Sequence, residues 1–271
     1  MSLLVLLRGG GDLASGVALR LVKSGIHVVI TELPAPLAVR RSVSFARAVY
    51  DRKVNVEDVD GILISSISEI QAVVKNGAVP VLIDPNGESC NTLKPKVMID
   101  GRMTKLPPDL GIDAANLVIG LGPGFTAGKD CHAVIETHRG HFMGRVIWHG
   151  QAEQDTGAPE TVLSFKTERV IRAPSDGIFH AHVKIGDIIQ TGQVIGEIDT
   201  QILKAPFKGV LRGLIQDGIQ VSSGLKIGDL DPRGDERLIN YVSDKSLAVA
   251  GGVLEAILTK KELLADLCQE A

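Results

Sequence analysis

The sequence predicts two structural parts, an α/β domain built on a parallel sheet and a duplicated all-β domain behind it. Three observations carry that prediction. An apolar run at residues 3–7 passes directly into Gly9-Gly10-Gly11 and a helical pattern, a second glycine-rich stretch at residues 120–128 again follows a short apolar run, and residues 172–199 recur as residues 204–231. At 271 residues, 44% hydrophobic and 23% charged, the chain has the length and composition of roughly two folded domains.

The first element is a strand, because residues 3–7 are apolar without alternation, as in a strand buried on both faces. Leu13, Val17, Leu21 and Val22 then recur at helical spacing, Gly25 supplies the stop, and residues 27–31 form the next strand. In this β-α-β unit Gly9-x-Gly11-x-x-Ala14 fits the fingerprint that gives a Rossmann-like fold. Its glycines permit a tight turn and let N–H groups at the helix start approach a pyrophosphate. Glu32, about 20 residues on, is placed to accept a ribose hydroxyl. Asp12 acts in the opposite sense: it suits the helix dipole but repels phosphate. A bound dinucleotide and a set of glycines that serve only the turn are therefore both open readings.

Residues 37–49 carry a helical pattern with Arg40 and Arg41 adjacent, either a bidentate phosphate clamp or a solvated helix face, and residues 79–83 form a further buried strand. After the strand at residues 117–119, the loop containing Gly120, Gly122, Gly124 and Gly128 is read as a cradle of N–H groups for an anion, with Thr126 and Lys129 as extra donors, or as a loop needing several left-handed residues. Next, Cys131, His132 and Glu136 gather thiol, imidazole and carboxylate around one strand. Alternation puts His132 and Glu136 on one face and Cys131 on the other, and the set makes no recognised metal motif.

The repeat aligns without gaps at an offset of 32 residues, with identities at eight positions, among them Ala173/Ala205, Pro174/Pro206, Gly186/Gly218 and Asp199/Asp231. Average composition yields only about two such matches. Each half is expected to form a small sheet, the two closing on one another as a sandwich. The pattern Ala-Pro-x-x-Gly, Val-Lys-x-Gly-Asp, Gly-Gln-x-Ile-Gly-Glu-Ile resembles biotinyl and lipoyl domains of the barrel-sandwich hybrid type. In carrier members the modified lysine sits at the tip of the hairpin joining the halves. Here residues 199–203 contain no lysine, and Lys204, the partner of Arg172, falls at the start of a strand, so neither biotin nor lipoate is expected.

Ser243-Asp244 caps a C-terminal helix running to Leu258, with Gly251-Gly252 as an interruption that permits close approach of another element or a ligand, and Cys268 in the final turns is a surface or core thiol. The expected divisions are 1–165 for the Rossmann-like α/β domain, 166–232 for the duplicated β-domain and 233–271 for a helical segment packing back on the α/β domain. A net charge of −3 and a pI near 6.2 offer no footprint for nucleic acid or an anionic membrane. No apolar run approaches the ~18 residues of a membrane span. Three widely spaced cysteines argue against a disulfide framework. Residues 1–7 read as a strand rather than a signal peptide, so the expected location is the cytoplasm.

Arg8-Gly9-Gly10-Gly11-Asp12-Leu13-Ala14, Thr31-Glu32-Leu33 with Arg40-Arg41, Gly122-Pro123-Gly124-Phe125, His132-Ala133-Val134-Ile135-Glu136-Thr137 and Gly251-Gly252-Val253-Leu254-Glu255-Ala256 together resemble the YqeB family. The resemblance implies an accessory or maturation factor for selenium-dependent molybdenum hydroxylases, acting on the molybdenum cofactor or its labile selenium. A molybdenum hydroxylase or cofactor-maturation protein would be the partner, and a dinucleotide or molybdopterin-type compound the ligand. It assigns no catalytic residue. Cys131, beside the second glycine loop and Lys129, is the candidate nucleophile or selenium/sulfur handler, with a buried unreactive thiol as the alternative. Cys90 ranks second, because Glu88 nearby would raise its pKa. The competing classes are an NAD-dependent oxidoreductase, for which no hydride-transfer partner stands out, and a non-catalytic binding scaffold.

Overall fold

The structure, a computed structural model, describes residues 3–104, 106–154 and 167–268. The chain divides into two compact units, one comprising Met1–Pro36, Ser44–Asp155 and Val242–Ala271, the other Leu37–Val43 and Thr156–Tyr241. The division expected at residues 165 and 166 lies outside the described residues.

The first unit holds a large mixed sheet with helices. Its elements are β1 (Leu4–Arg8), α1 (Asp12–Lys23), β2 (His27–Glu32), α2 (Ala48–Asp51), β3 (Lys53–Val56), β4 (Val59–Ile64), α3 (Ile70–Lys75), β5 (Val79–Ile83), α4 (Ser89–Leu93), β6 (Val97–Asp100), β7 (Leu117–Leu121), β8 (Ala133–Ile135), β9 (Val146–Ile147), α5 (Asp244–Leu258) and α6 (Lys261–Cys268). The strand order is β3-β4-β5-β2-β1-β6-β7-β8-β9. Strands β4 to β8 in that order pair in parallel, whereas β3 and β9 close the edges antiparallel. The central strands are apolar throughout because both faces are covered: Val5, Leu6 and Leu7 of β1 and Val97 and Ile99 of β6 are fully buried.

Ser243 caps α5 by accepting a hydrogen bond from the Ser246 N–H, and α5 packs on α1. The crossing is close enough that a Cβ on Gly16 would lie 2.5 Å from the Ser246 Cβ. Gly251-Gly252 does not interrupt this helix, which is continuous to Leu258. Gly252 instead lies so near the Gly144 carbonyl that a side chain would collide with it, while Gly251 has open space beside it. The side chain of Cys268 lies outside the described residues. No helix among the described residues is long and apolar enough to cross a membrane.

The second unit contains β10 (Val170–Arg172), β11 (Gly177–Ala181), β12 (Ile188–Ile189), β13 (Val194–Ile198), β14 (Gln201–Lys204), β15 (Gly209–Leu214), β16 (Ile219–Val221) and β17 (Lys226–Asp231). They form two four-stranded antiparallel sheets, β10-β17-β15-β12 and β14-β13-β11-β16. The 32-residue offset turns each strand of one half into its counterpart in the other, and applied to the first sheet it generates the second. The expectation that each half forms its own sheet is therefore corrected, since every sheet takes two strands from each half. Apart from the β13–β14 hairpin, consecutive strands cross between sheets, and equivalent apolar residues from both halves, Phe179 and Leu211, Ile195 and Ile227, Ile198 and Leu230, are buried together in one unit. Lys204 ends β14 rather than starting a strand, opposite Val194 and away from the Asp199–Thr200 turn.

Candidate functional site

Parallel strands put their carboxyl ends on one edge of the sheet. In the first unit that edge carries the glycine loop after β1, the end of β6 and the second glycine loop after β7. Strand order reverses at β1, whose neighbours are β2 and β6, and such a reversal leaves a crevice.

The three glycines after β1 differ in what holds them. Gly9 is left-handed, with φ +88°, and a Cβ there would lie 3.2 Å from Arg102 Cα. Gly10 meets the Ala46 backbone N at 2.8 Å from its would-be Cβ. Gly11 has an ordinary φ of −68° and nothing within 4 Å of an added Cβ. The Gly9 N–H donates to the Thr31 carbonyl at 2.8 Å and the Gly10 N–H to Glu32 Oε1 at 2.7 Å. Gly11 precedes the first turn of α1 without a side-chain cap, where N–H groups have no acceptor within the helix. Ala14 is buried beneath Gly101, and Asp12 reaches the Ser246 hydroxyl at 3.4 Å. Glu32, expected to meet a ribose, accepts from the N–H groups of Gly10 and Leu33, each at 2.7 Å, while burial pushes its pKa up.

Four charged residues lie beside this loop. Arg8, ending β1, is 1% exposed and forks onto Asp109. Arg102 pairs with both oxygens of Asp100, at 3.0 and 2.6 Å, and with both oxygens of Asp109, at 3.0 and 2.7 Å. The arginines, Arg8 first, hold the Asp109 carboxyl well below the usual range against the opposing effect of partial burial. Burial would lower Arg102, but Asp100 and Asp109 outweigh it and raise its pKa. Sequence reasoning did not single out this cluster. Its signal was a charged residue closing each of two apolar strands, Arg8 after Leu4–Leu7 and Asp100 after Val97–Ile99.

The second glycine loop is folded largely on itself. Phe125 packs where a Cβ of Gly120 would be, Gly122 has φ +73° against Thr137, and Gly124 is exposed at φ 108°. The N–H groups of Gly122, Ala127, Gly128, Lys129 and Asp130 go to nearby carbonyls, that of Thr126 to Asp130, and the Thr126 hydroxyl accepts from Gln151. The reading of this stretch as a broad anion cradle gives way to a loop whose glycines serve packing and left-handed turns.

Four further expectations are corrected. Residues 37–49 form short 3-10 turns and the start of α2 rather than one helix, because the Val39 carbonyl is taken by the Leu214 N–H at 2.8 Å. Arg40 donates to the carbonyls of Leu238 and Tyr241, and Arg41 to the Leu214 carbonyl and Gln216, so both guanidinium groups brace the second unit rather than clamp phosphate. Cys131 is fully buried, and desolvation pushes its thiol up to about 11, against activation as a thiolate. Cys90 is also raised by burial first, with Asp84 rather than Glu88 as the acidic neighbour.

His132 and Glu136 share a strand but not a site. His132 lies at the amino end of β8, where its Nδ1 accepts from the Val118 N–H at 2.9 Å and burial lowers its pKa. It lines a cavity of about 740 Å³ whose wall also includes Cys90, Lys94, Asp109 and Asn116. Glu136, at the opposite end of the strand and 2% exposed, accepts from the N–H groups of His138 at 2.7 Å and Glu153 at 2.8 Å. It fastens two loop segments.

Nearly all of the chain aligns with YqeB of Escherichia coli (strain K12), an uncharacterized protein, at 47% identity over 255 residues, which is 94% of this chain and 47% of that protein. The YqeB family is thereby supported. The chain spans about half the length of this curated relative. No family model matches the chain. Among solved structures, an aspartoacylase family protein from Mesorhizobium loti is similar at 11% identity over 85% of each chain, with a TM-score of 0.28. The ectoine utilization protein EutE (DoeB) from Ruegeria pomeroyi, in its product-bound structure, is 11% identical over 84% of this chain and 85% of that one, with a TM-score of 0.25. At these scores neither likeness bears on fold or chemistry.

Proposed function

We propose that the chain is an accessory factor that binds a phosphate-bearing ligand, a dinucleotide or a molybdopterin-type compound, at the start of α1. In this reading the first unit is a Rossmann-like domain and the second a barrel-sandwich hybrid domain without a carrier lysine. The observation that carries it is Gly11. Gly9 and Gly10 are accounted for by backbone conformation and packing, whereas Gly11 has an ordinary φ and open space beside it. A glycine that neither the turn nor the core requires is what close approach of a phosphate to the backbone requires. The proposed place, taken from the resemblance of its motifs to the YqeB family, is in the maturation of selenium-dependent molybdenum hydroxylases, with the hydroxylase or a cofactor-maturation protein as cytoplasmic partner. The buried, high-pKa thiol of Cys131 favours binding and presentation of the ligand over covalent catalysis.

The test is calorimetry with NAD(P), mononucleotides and pterin phosphates on the wild type and Gly11→Val. The wild type is expected to bind at least one of them, and the variant to lose that binding with a melting temperature close to wild type. Absence of affinity for every compound, or full affinity in the variant, would refute the reading.

A further inference from the structure

Arg8 and Asp109 make an ion pair of unequal partners. The arginine side chain is 1% exposed and the carboxylate 47%. Asp100, the other acid nearby, is 4.0 Å from Arg8 and engages Arg102 through both oxygens. Arg8 Nε is buried and has no hydrogen-bond acceptor among the described residues. In the second unit the asymmetry is reversed. The side chains of Asp229 and Asp231 are 3% and 2% exposed, and Arg212 and Arg233, at 16% and 40%, reach in to them. In these two pairs the buried partner is the anion, beside a third, Arg169–Asp229, in which both are buried, whereas at the end of β1 the buried partner is the cation and Asp109 faces solvent.

We propose that Arg8 and Arg102 are a receptor for a phosphoryl group, and that Asp109 occupies it as an internal competitor. Both guanidinium groups already bind the two oxygens of one carboxylate, a geometry that a phosphoryl group reproduces with an additional oxygen and more charge. The pair stands at the carboxyl ends of β1 and β6, where the strand order reverses, and Arg102 packs on Gly9, so the receptor adjoins the glycine loop. A ligand phosphate entering there displaces a carboxylate that is already half in water. The buried Arg8 remains paired throughout, and Asp109, which lines the cavity beside it, has space to leave. The proposal rests on the reading of a phosphate-bearing ligand and names its second subsite.

Titration of the full chain with pyrophosphate tests it. Replacing Asp109→Asn removes the competing charge and is expected to tighten pyrophosphate binding by about tenfold. Adding Arg102→Gln to Asp109→Asn should abolish that gain. A folded Asp109→Asn chain that binds no more tightly, or a gain that survives Arg102→Gln, would overturn the proposal. Should Asp109→Asn fail to fold, the Arg8 Nε–H resonance of the wild type decides: it is expected to shift as pyrophosphate is added, and constancy up to the solubility limit of the salt would sink the receptor. A Gly11→Val chain that retains wild-type nucleotide affinity would remove the glycine-loop reading while leaving the receptor standing. Loss of nucleotide binding in Gly11→Val without any Asp109→Asn gain would do the reverse.

Discussion

Single residues in this protein divide by whether their chemistry is spent inside the fold. Cys131 is a clear case, since its thiol, pushed up to about 11 by burial, has almost no thiolate at neutral pH. Iodoacetamide should therefore leave Cys131 unmodified in the native chain and label it promptly in denaturant, and rapid native labelling would contradict the buried geometry. Asp229 offers a pH-dependent test. Burial alone would raise its pKa, but Lys226, Arg212 and Arg169 outweigh it and hold the folded value below the ordinary one. Its contribution to stability is thus complete above an unfolded value of about 3.9 and lost as pH falls through the folded value. Denaturation midpoints of the second unit should fall on acidification in the wild type and fall less steeply in Asp229→Asn, which should also cost about 3 kcal/mol at neutral pH by breaking a buried pair. Equal acid slopes in both chains would remove Asp229 from the account. Glu32 acts in the other sense. Its raised pKa gives stability that is full below the unfolded value and is lost as pH rises through the folded value.

At the scale of elements, the glycine pair in α5 provides a sharp contrast. Gly251 is exposed with open space beside it, so Gly251→Ala should stabilise the helix by about 0.5–1 kcal/mol. Gly252 lies against the Gly144 carbonyl, and Gly252→Ala should destabilise by about 1–3 kcal/mol through forced overpacking. Thermal denaturation of the two variants checks the opposite signs, and a shared sign would mean that the contact with Gly144 does not limit the helix. What the sequence made legible follows the same division. The strand-glycine-helix start, the strand at residues 79–83 and the Ser243 cap were readable because local pattern and capping chemistry agree with the fold. The β3–β4 hairpin was not, because its turn uses left-handed Glu57 and Asp58, at φ 45° and 73°, in place of the glycine or asparagine that normally marks such a turn. The apparent helix at residues 37–49 failed for a different reason: Val39, Arg40 and Arg41 are fixed by bonds to residues 214, 216, 238 and 241, which no local pattern encodes. The Arg8, Arg102 and Asp109 cluster was hidden likewise, since its members are 101 residues apart at the extremes.

For the whole molecule, the duplication has a consequence for cooperativity. Because both sheets draw strands from both halves, a chain carrying residues 204–231 without residues 172–199 lacks half the strands of each sheet. Such a fragment should show no cooperative unfolding transition, whereas the intact unit should show one, and a folded isolated half would disprove the interleaving. The first unit is discontinuous as well, since its sheet is encoded by residues up to 147 while α5, which packs on α1, begins at Asp244. On the ribosome α1 is complete long before its partner exists, so the nascent chain carries Gly16 and its neighbours without the Ser246 contact through most of translation. A ribosome that stops before Ser243 releases a molecule with its central strands made but α1 lacking its partner helix, the kind of uncovered apolar surface that quality-control chaperones and proteases sort from finished protein.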